Sequence, residues 1–344
     1  MNLDSFVREN IAALKPYACA RHEFQGQASA FLDANENPYN SPLNRYPDPL
    51  QIALKQAIAA IKHVRPEQMM VGNGSDEPID LVYRIFCEPH VDNVVAMNPT
   101  YGMYEVAADI NAVEYRTVLL NADFSLDADR LLAATDKHTK VVWLCSPNNP
   151  SGNLLNHNAI EKILTQFQGI VVIDEAYGDF STEPSWLGEL ANYPNLIVLH
   201  TFSKAWGLAS LRCGLAFASE AVIAWFNKVK YPYNVSNLTQ IAVLDQLRSG
   251  EKSKNVWVKT ILEERAKLIE ALKTVPAVKE IYPSDANFLL VKVTDATYIY
   301  GELVKKGIIV RNRSSLALCH NCIRITVGTP AENADLLTVL RTLQ

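Results

Sequence analysis

Apolar runs and helically spaced stretches alternate along most of the chain. The runs Met69-Met70-Val71, Asn93 to Met97, Val113 to Leu119, Lys140 to Cys145, Gly169 to Asp174, Leu196 to His200 and Leu215 to Ala218 are short and mostly apolar. Runs of this kind predict strands covered on both faces, as in a parallel sheet. Ile79 to Phe86, the residues following Asn98-Pro99-Thr100-Tyr101-Gly102-Met103-Tyr104 and a stretch from about Leu126 predict the intervening helices. The alternation predicts a doubly wound α/β sheet. Before it, Asp48-Pro49 predicts a capped helix start, continuing to about Lys62. Ala221 to Lys230, Leu238 to Leu247 and Lys252 to Val275 predict three helices, the last a connector. A smaller α+β unit follows, with strands near Glu280 to Tyr282, Asn287 to Val291, Ile308 to Val310 and Cys322 to Val327. Its helices are expected from Ala296 to Lys306 and from Ala331 onward. The expected division is an N-terminal arm over residues 1–43 packing with the small domain, a large domain over 44–250 and a small C-terminal domain over 251–344.

The 344 residues, 49% of them hydrophobic, suffice for one large core and a smaller second one. A net charge of −5 without a Lys/Arg run gives no footprint for nucleic acid or an anionic membrane. Met1 to Asn10 lacks the apolar centre of a signal peptide, and no apolar stretch approaches the ~20 residues that span a bilayer. A cytoplasmic location is expected, with the six cysteines as thiols. Cys319-His320-Asn321-Cys322 has a metal-like spacing but no second Cys/His pair of zinc-finger spacing, so no metal site is expected.

Candidate chemistry lies where apolar runs stop. In Val198-Leu199-His200-Thr201-Phe202-Ser203-Lys204-Ala205-Trp206-Gly207, a lysine follows a strand end, where open α/β sheets bind ligands. A desolvated lysine has a lowered pKa and can attack a carbonyl to form an imine. Thr201, Ser203 and Arg212 add two hydroxyls and a guanidinium suited to a phosphate. Gly72-Asn73-Gly74-Ser75-Asp76-Glu77, between a strand and a helix, has the makings of a phosphate cradle. Glu77 stands where a dinucleotide fingerprint needs its third glycine, which disfavours a Rossmann dehydrogenase. Asp174 ends a buried strand, where an acid needs a cation or strong donor. Singly, these residues also fit a turn lysine, an ordinary strand-to-helix turn and a helix-cap acid. Together, Asn149, Asp174, Tyr177, Lys204 and Arg212 each follow or end an expected parallel strand and so converge on one rim. Pyridoxal 5'-phosphate has the aldehyde, ring nitrogen, phenolic oxygen and phosphate to engage them all. Lys204 would form the imine and Asp174 keep the ring nitrogen protonated, while Asn149 and Tyr177 would bond the phenolic oxygen. Tyr101 would stack on the ring, and the amides around Gly74, Ser75 and Asp76 would take the phosphate with Ser203 and Arg212.

Ser146-Pro147-Asn148-Asn149-Pro150-Ser151-Gly152, Asp174-Glu175-Ala176-Tyr177 and Ser203-Lys204 resemble motifs shared by many aminotransferases of fold type I, the large group of pyridoxal-phosphate enzymes. Asn35-Glu36-Asn37-Pro38, Asn44-Arg45-Tyr46-Pro47, Pro99 to Tyr104 and Leu211-Arg212-Cys213-Gly214 more narrowly resemble the histidinol-phosphate aminotransferase family. The likeness runs from Lys15-Pro16-Tyr17 to Arg324-Ile325-Thr326-Val327-Gly328; Ser151, in place of a frequent threonine, keeps the hydroxyl. The resemblance implies amino transfer from L-glutamate to imidazole-acetol phosphate, giving L-histidinol phosphate and 2-oxoglutarate in histidine biosynthesis. It also implies a homodimer in which Tyr46 reaches the neighbouring subunit's cofactor phosphate, Tyr17 closing over the substrate, and Arg311 and Arg324 on the substrate phosphate. Two arginines suit a dianion better than one. An aromatic amino-acid aminotransferase and a lyase similar to threonine-phosphate decarboxylase remain alternatives, since both would share Lys204 and Asp174.

Overall fold

The structure, a computed structural model, describes residues 3–17 and 28–343. The larger sheet comprises β1 (Met69–Asn73), β2 (Asn93–Asn98), β3 (Glu114–Leu119), β4 (Thr139–Cys145), β5 (Ile170–Asp174), β6 (Leu196–Thr201) and β7 (Cys213–Ala218). Their spatial order is β1-β7-β6-β5-β4-β2-β3. Strands β2 to β6 pair in parallel, whereas β7 is antiparallel to both β1 and β6. Every residue of β5, β6 and β7 is buried, which explains their continuous apolar runs. One expectation is corrected here: Leu215 to Ala218 belongs to an antiparallel strand, so Arg212 precedes its strand instead of following one. An antiparallel strand begins at the rim where its parallel neighbours end, and Arg212 therefore still reaches that rim.

The helices of the larger unit are α1 (Glu9–Ala13), α2 (Ile52–Lys62), α3 (Asp76–Phe86), α4 (Met103–Ile110), α5 (Ala128–Ala133), α6 (His157–Gln166), α7 (Glu220–Val229) and the start of α8 (Asn237–Leu272). Helix α2 begins later than Asp48-Pro49 predicts, because Gln51 takes a left-handed conformation with φ 51°. The Asp48 carboxylate nonetheless accepts the Ile52 N–H at 2.6 Å. The two helices expected either side of residue 250 are one 36-residue helix, α8. Val243 and Leu247 enter the large core, and Leu268 and Leu272 the small one. Burial at both ends outweighs the ~1 kcal/mol that an interior glycine such as Gly250 costs. The division expected at residue 250 thus falls inside a continuous helix.

The smaller sheet has the order β10-β11-β9-β8, from β8 (Val278–Ile281), β9 (Phe288–Val293), β10 (Arg311–Asn312) and β11 (Cys322–Thr326), all antiparallel. Helices α9 (Ala296–Lys305) and α10 (Pro330–Leu340) complete it. The strand expected at Ile308 to Val310 is displaced to Arg311–Asn312, since Ile308 and Val310 pack into the second core and the ladder starts beyond them. The arm also differs from expectation. Leu3, Val7 and Ile11 join the large core, and the Arg8 N–H donates to the Ile85 carbonyl at 3.0 Å. Residues 3–13 therefore lie on the large unit, where their apolar side chains find cover; the arm's residues 18–27, and Cys19 among the thiols, lie outside the described residues. Among the described residues no helix is long and apolar enough to cross a membrane.

Candidate active site

The carboxyl ends of β1, β2, β4, β5 and β6, with the start of β7, surround a cavity of about 140 Å³. Ten of the residues singled out in the sequence border it: Ser75, Asp76, Tyr101, Asn149, Asp174, Tyr177, Thr201, Ser203, Lys204 and Arg212. Parallel strands bring these distant positions together because each ends at the same rim.

Asp174, the last residue of β5, is 2% exposed. Its carboxylate accepts the Tyr104 hydroxyl at 2.7 Å and the Ala176 N–H at 3.0 Å. Burial pushes the carboxyl up to about 6, against the pull of those two hydrogen bonds. No ion pair to it is found among the described residues, so a buried acid faces the cavity with neutral donors alone. Tyr104 was given no role in the sequence reading; it lies in the first turn of α4, where its N–H donates to the Tyr101 carbonyl at 3.4 Å. The ring of Tyr104 is locked by stacking on Trp143, centroids 4.7 Å apart.

Lys204 stands on the turn after β6, solvent-accessible through the cavity mouth. Its Nζ lies 5.6 Å from the centre of the Tyr177 ring. Desolvation lowers its pKa, the positive charge of Arg324 lowers it further, and Asp174 works the other way. Tyr177 is buried and packs edge-on against Phe288 of the small sheet at 5.0 Å. Burial raises its phenol pKa, opposed by Arg324.

At the other end, Ser203 N–H donates to Thr201 Oγ1 at 3.1 Å, and the two hydroxyls lie 3.0 Å apart. Arg212 adopts a left-handed backbone, φ 48°, and its carbonyl accepts the Gly74 N–H at 2.7 Å. Such a conformation is unfavourable for a non-glycine residue and persists where surrounding contacts enforce it. Here the enforcing contacts leave no room for side chains: a Cβ on Gly74 would strike the Arg212 guanidinium, and one on Gly214 the Gly74-Ser75 backbone. The result is a narrow cradle at the N-terminus of α3, whose first amides are free to meet an anion. Asp76 holds Arg212 Nη2 at 3.3 Å and accepts the Tyr101 hydroxyl at 3.2 Å.

The small sheet closes one side. Arg324 on β11 donates to Asn149 Oδ1 at 2.6 Å and lies over the Phe288 ring at 5.2 Å. Register places Arg311 opposite Arg324 on the neighbouring strand. Of the other predicted residues, Gly74 and Arg324 adjoin the cavity through Arg212 and Asn149, whereas Arg311 is exposed and, with Tyr46 and Tyr17, does not line it within this chain. Tyr46 stacks on Tyr233 at 4.4 Å in a separate cleft, and Tyr17 is 75% exposed.

The model of the family described as aminotransferase class I and II matches residues 21–340. The chain belongs to the aminotransferase class I and II family. Within this family, it is 57% identical over 343 residues to a histidinol-phosphate aminotransferase of Bacteroides fragilis, with 99% of each chain covered. The fold is similar to that of the Clostridium acetobutylicum histidinol-phosphate aminotransferase, TM-score 0.81 at 23% identity, covering 88% of this chain and 91% of that one. It is also similar to the Sinorhizobium meliloti histidinol-phosphate aminotransferase, solved in complex with pyridoxal-5'-phosphate: TM-score 0.78, 26% identity, 87% and 84% covered. The larger sheet with its helices and the small antiparallel unit are the fold type I architecture of this family.

Proposed function

We propose that this chain transfers an amino group between L-glutamate and imidazole-acetol phosphate, yielding L-histidinol phosphate and 2-oxoglutarate, with pyridoxal 5'-phosphate as cofactor. The observation that carries the reading is the pairing of two unlike anion sites across one amine. A glycine cradle with Ser203 and Arg212 borders the cavity that holds Lys204, while Arg324, bonded to Asn149 of the same cavity, stands opposite Arg311 on the small sheet. The first suits the cofactor's phosphate and the second a phosphorylated substrate.

The donor set fits the cofactor. Asp174 is a buried acid without an ion-pair partner among the described residues, and its raised pKa would fall beside a protonated ring nitrogen. When bound, pyridoxal phosphate supplies the electron sink that makes proton loss from the substrate carbon feasible. Asp174 holds the proton on the ring nitrogen, and Tyr104 keeps that carboxylate in place. Asn149 and Tyr177 bond the phenolic oxygen, and Tyr101 covers the ring. At the Gly74 turn the Ser75 and Asp76 amides bind the phosphate together with Thr201, Ser203 and Arg212, the Gly74 N–H being held by the Arg212 carbonyl. Lys204, whose amine is made less basic by desolvation and Arg324, takes the proton from the substrate's α-carbon as general base. Arg311 and Arg324 grip the substrate phosphate, and Tyr17 closes over it.

The protein is a homodimer in this reading, with Tyr46 reaching the other subunit's cofactor phosphate. Support comes from the cleft around Tyr46, where Leu43, Leu238 and Ile241 are 62%, 64% and 48% exposed and apolar. The arm, the cofactor-binding large domain and the small domain act as three functional parts of a cytoplasmic enzyme. An amino-donor panel with 2-oxoglutarate tests the reading. Histidinol phosphate should exceed phenylalanine, tyrosine and aspartate in kcat/KM by on the order of 100-fold, the scale of a hydrogen bond to a charged group left unmade. A preference for phenylalanine or tyrosine would point to an aromatic aminotransferase. Release of carbon dioxide from threonine phosphate would point to a lyase.

A further inference from the structure

The face of the small sheet that meets Asn149 carries more positive charge than two arginines. Arg311 stands directly opposite Arg324 in the antiparallel register. Arg313 lies one residue past β10, but its N–H still bonds the Cys322 carbonyl, so the extended spacing continues and residues two apart share a face, which adds it to the pair. Its backbone is fixed by a 2.9 Å hydrogen bond from its N–H to the Cys322 carbonyl and another of 2.9 Å from the Leu316 N–H to its own carbonyl. Among the described residues no carboxylate forms an ion pair with Arg311, Arg313 or Arg324. The Nε atoms of both Arg313 and Arg324 are buried without a hydrogen-bond partner. Like charges directly opposite on paired strands are destabilising, and an unpaired buried donor is costly. A cluster that keeps three guanidiniums together despite these costs is built for a multiply charged anion. Burial, with Arg324 and Arg311 next, lowers the Arg313 pKa to about 10, and Tyr177 on the cavity wall lies within its electrostatic reach.

We infer that Arg313 is a third phosphate-recognising residue, which with Arg311 and Arg324 selects a phosphomonoester over a carboxylate in the substrate site. The inference rests on the proposed aminotransferase reading. A carboxylate offers two oxygens and one charge, and Arg324 beside Asn149 can already satisfy it. A phosphomonoester brings a third free oxygen and a second charge, for which Arg313 supplies an open donor. The two amino-group carriers, one ending in a carboxylate and the other in a phosphate, are thereby told apart at one place.

The test uses the cofactor-loaded protein, so that the cofactor's own phosphate cradle is filled. Arg313→Gln should raise KM for histidinol phosphate roughly 10- to 100-fold, the range for one hydrogen bond to a charged group, and at least fivefold more than KM for L-glutamate. Arg313→Lys, which keeps the charge, should recover part of the difference, and it carries the same comparison should the glutamine variant fail to fold. Protection by inorganic phosphate against thermal unfolding should weaken in Arg313→Gln. Equal changes in the two KM values, or undiminished protection by phosphate, would overturn the inference while leaving the aminotransferase reading intact. If the unaltered protein does not turn over histidinol phosphate and Arg313→Gln still loses phosphate protection, the substrate reading fails and the anion site stands.

Discussion

Asp174 and Glu175 are neighbours in the chain and face different cavities. Glu175 borders the larger one, about 480 Å³, and Asp174 the smaller, about 140 Å³. Around the larger cavity Glu175, His200, Asp179 and Lys62 all have partners. Glu175 lies 2.8 Å from His200 Nε2, accepts the Trp186 N–H at 2.9 Å and is bonded by the Ser185 hydroxyl. Asp179 sits between Lys62 at 3.6 Å and Lys254 at 3.3 Å. At the smaller cavity Asp76 pairs with Arg212, but two charges are left over: Asp174 has only neutral donors, and Arg324, which adjoins the cavity through Asn149, has a buried Nε with no acceptor. The difference teaches that unsatisfied polar groups, not volume, mark the place prepared for a ligand.

Three variants press on this contrast. The largest effect is expected at Lys204. Lys204→Ala should lower turnover on the order of 1,000-fold or more, the scale of a lost general base, while circular dichroism and melting stay close to those of the unaltered protein. Retained transamination would remove the amine from the chemistry.

Next comes the acid facing the small cavity. With its carboxyl raised to about 6 from 3.8, folded Asp174 keeps a proton that the unfolded chain releases between those values. The cofactor-free protein should therefore lose stability as pH rises from about 4 to 6, by on the order of 3 kcal/mol from this group. Asp174→Asn should abolish that portion. Urea denaturation of both proteins from pH 4 to 7 gives the difference, and parallel curves would show that Asp174 carries no such burden.

The smallest effect is expected at Glu175, and of a different kind. Glu175→Ala would strand the Trp186 N–H, the Ser185 hydroxyl and His200, costing about 2 kcal/mol. The loaded protein's kcat/KM should change by less than about threefold. A large loss of activity with an unchanged melting temperature would reverse the roles assigned to the two cavities.

Much of this site was legible before any coordinates. Lys204 and Asp174 end apolar runs in a chain whose runs alternate with helices, and such strands terminate on a common rim. Local rules were weaker where distant residues compete with them. The break expected near residue 250 disappears because α8 is held in two cores at once. The helix start at Asp48 shifts because Gln51 turns left-handed. Tyr104 closes a motif that gave it no role, and Arg313 belongs to none; their roles follow from what lies beside them.

The succession of apolar runs, with acids, amines and glycines at their ends, was enough to specify an α/β sheet with Lys204, Asp174 and a glycine turn on one rim, because strand period and burial are properties of neighbouring residues. The antiparallel course of β7, the bond from Arg324 to Asn149 across 175 positions of chain and the crowding of three arginines without an acid were decided only in three dimensions. Those features depend on which surfaces the packed cores press together, and no local stretch of sequence encodes that choice.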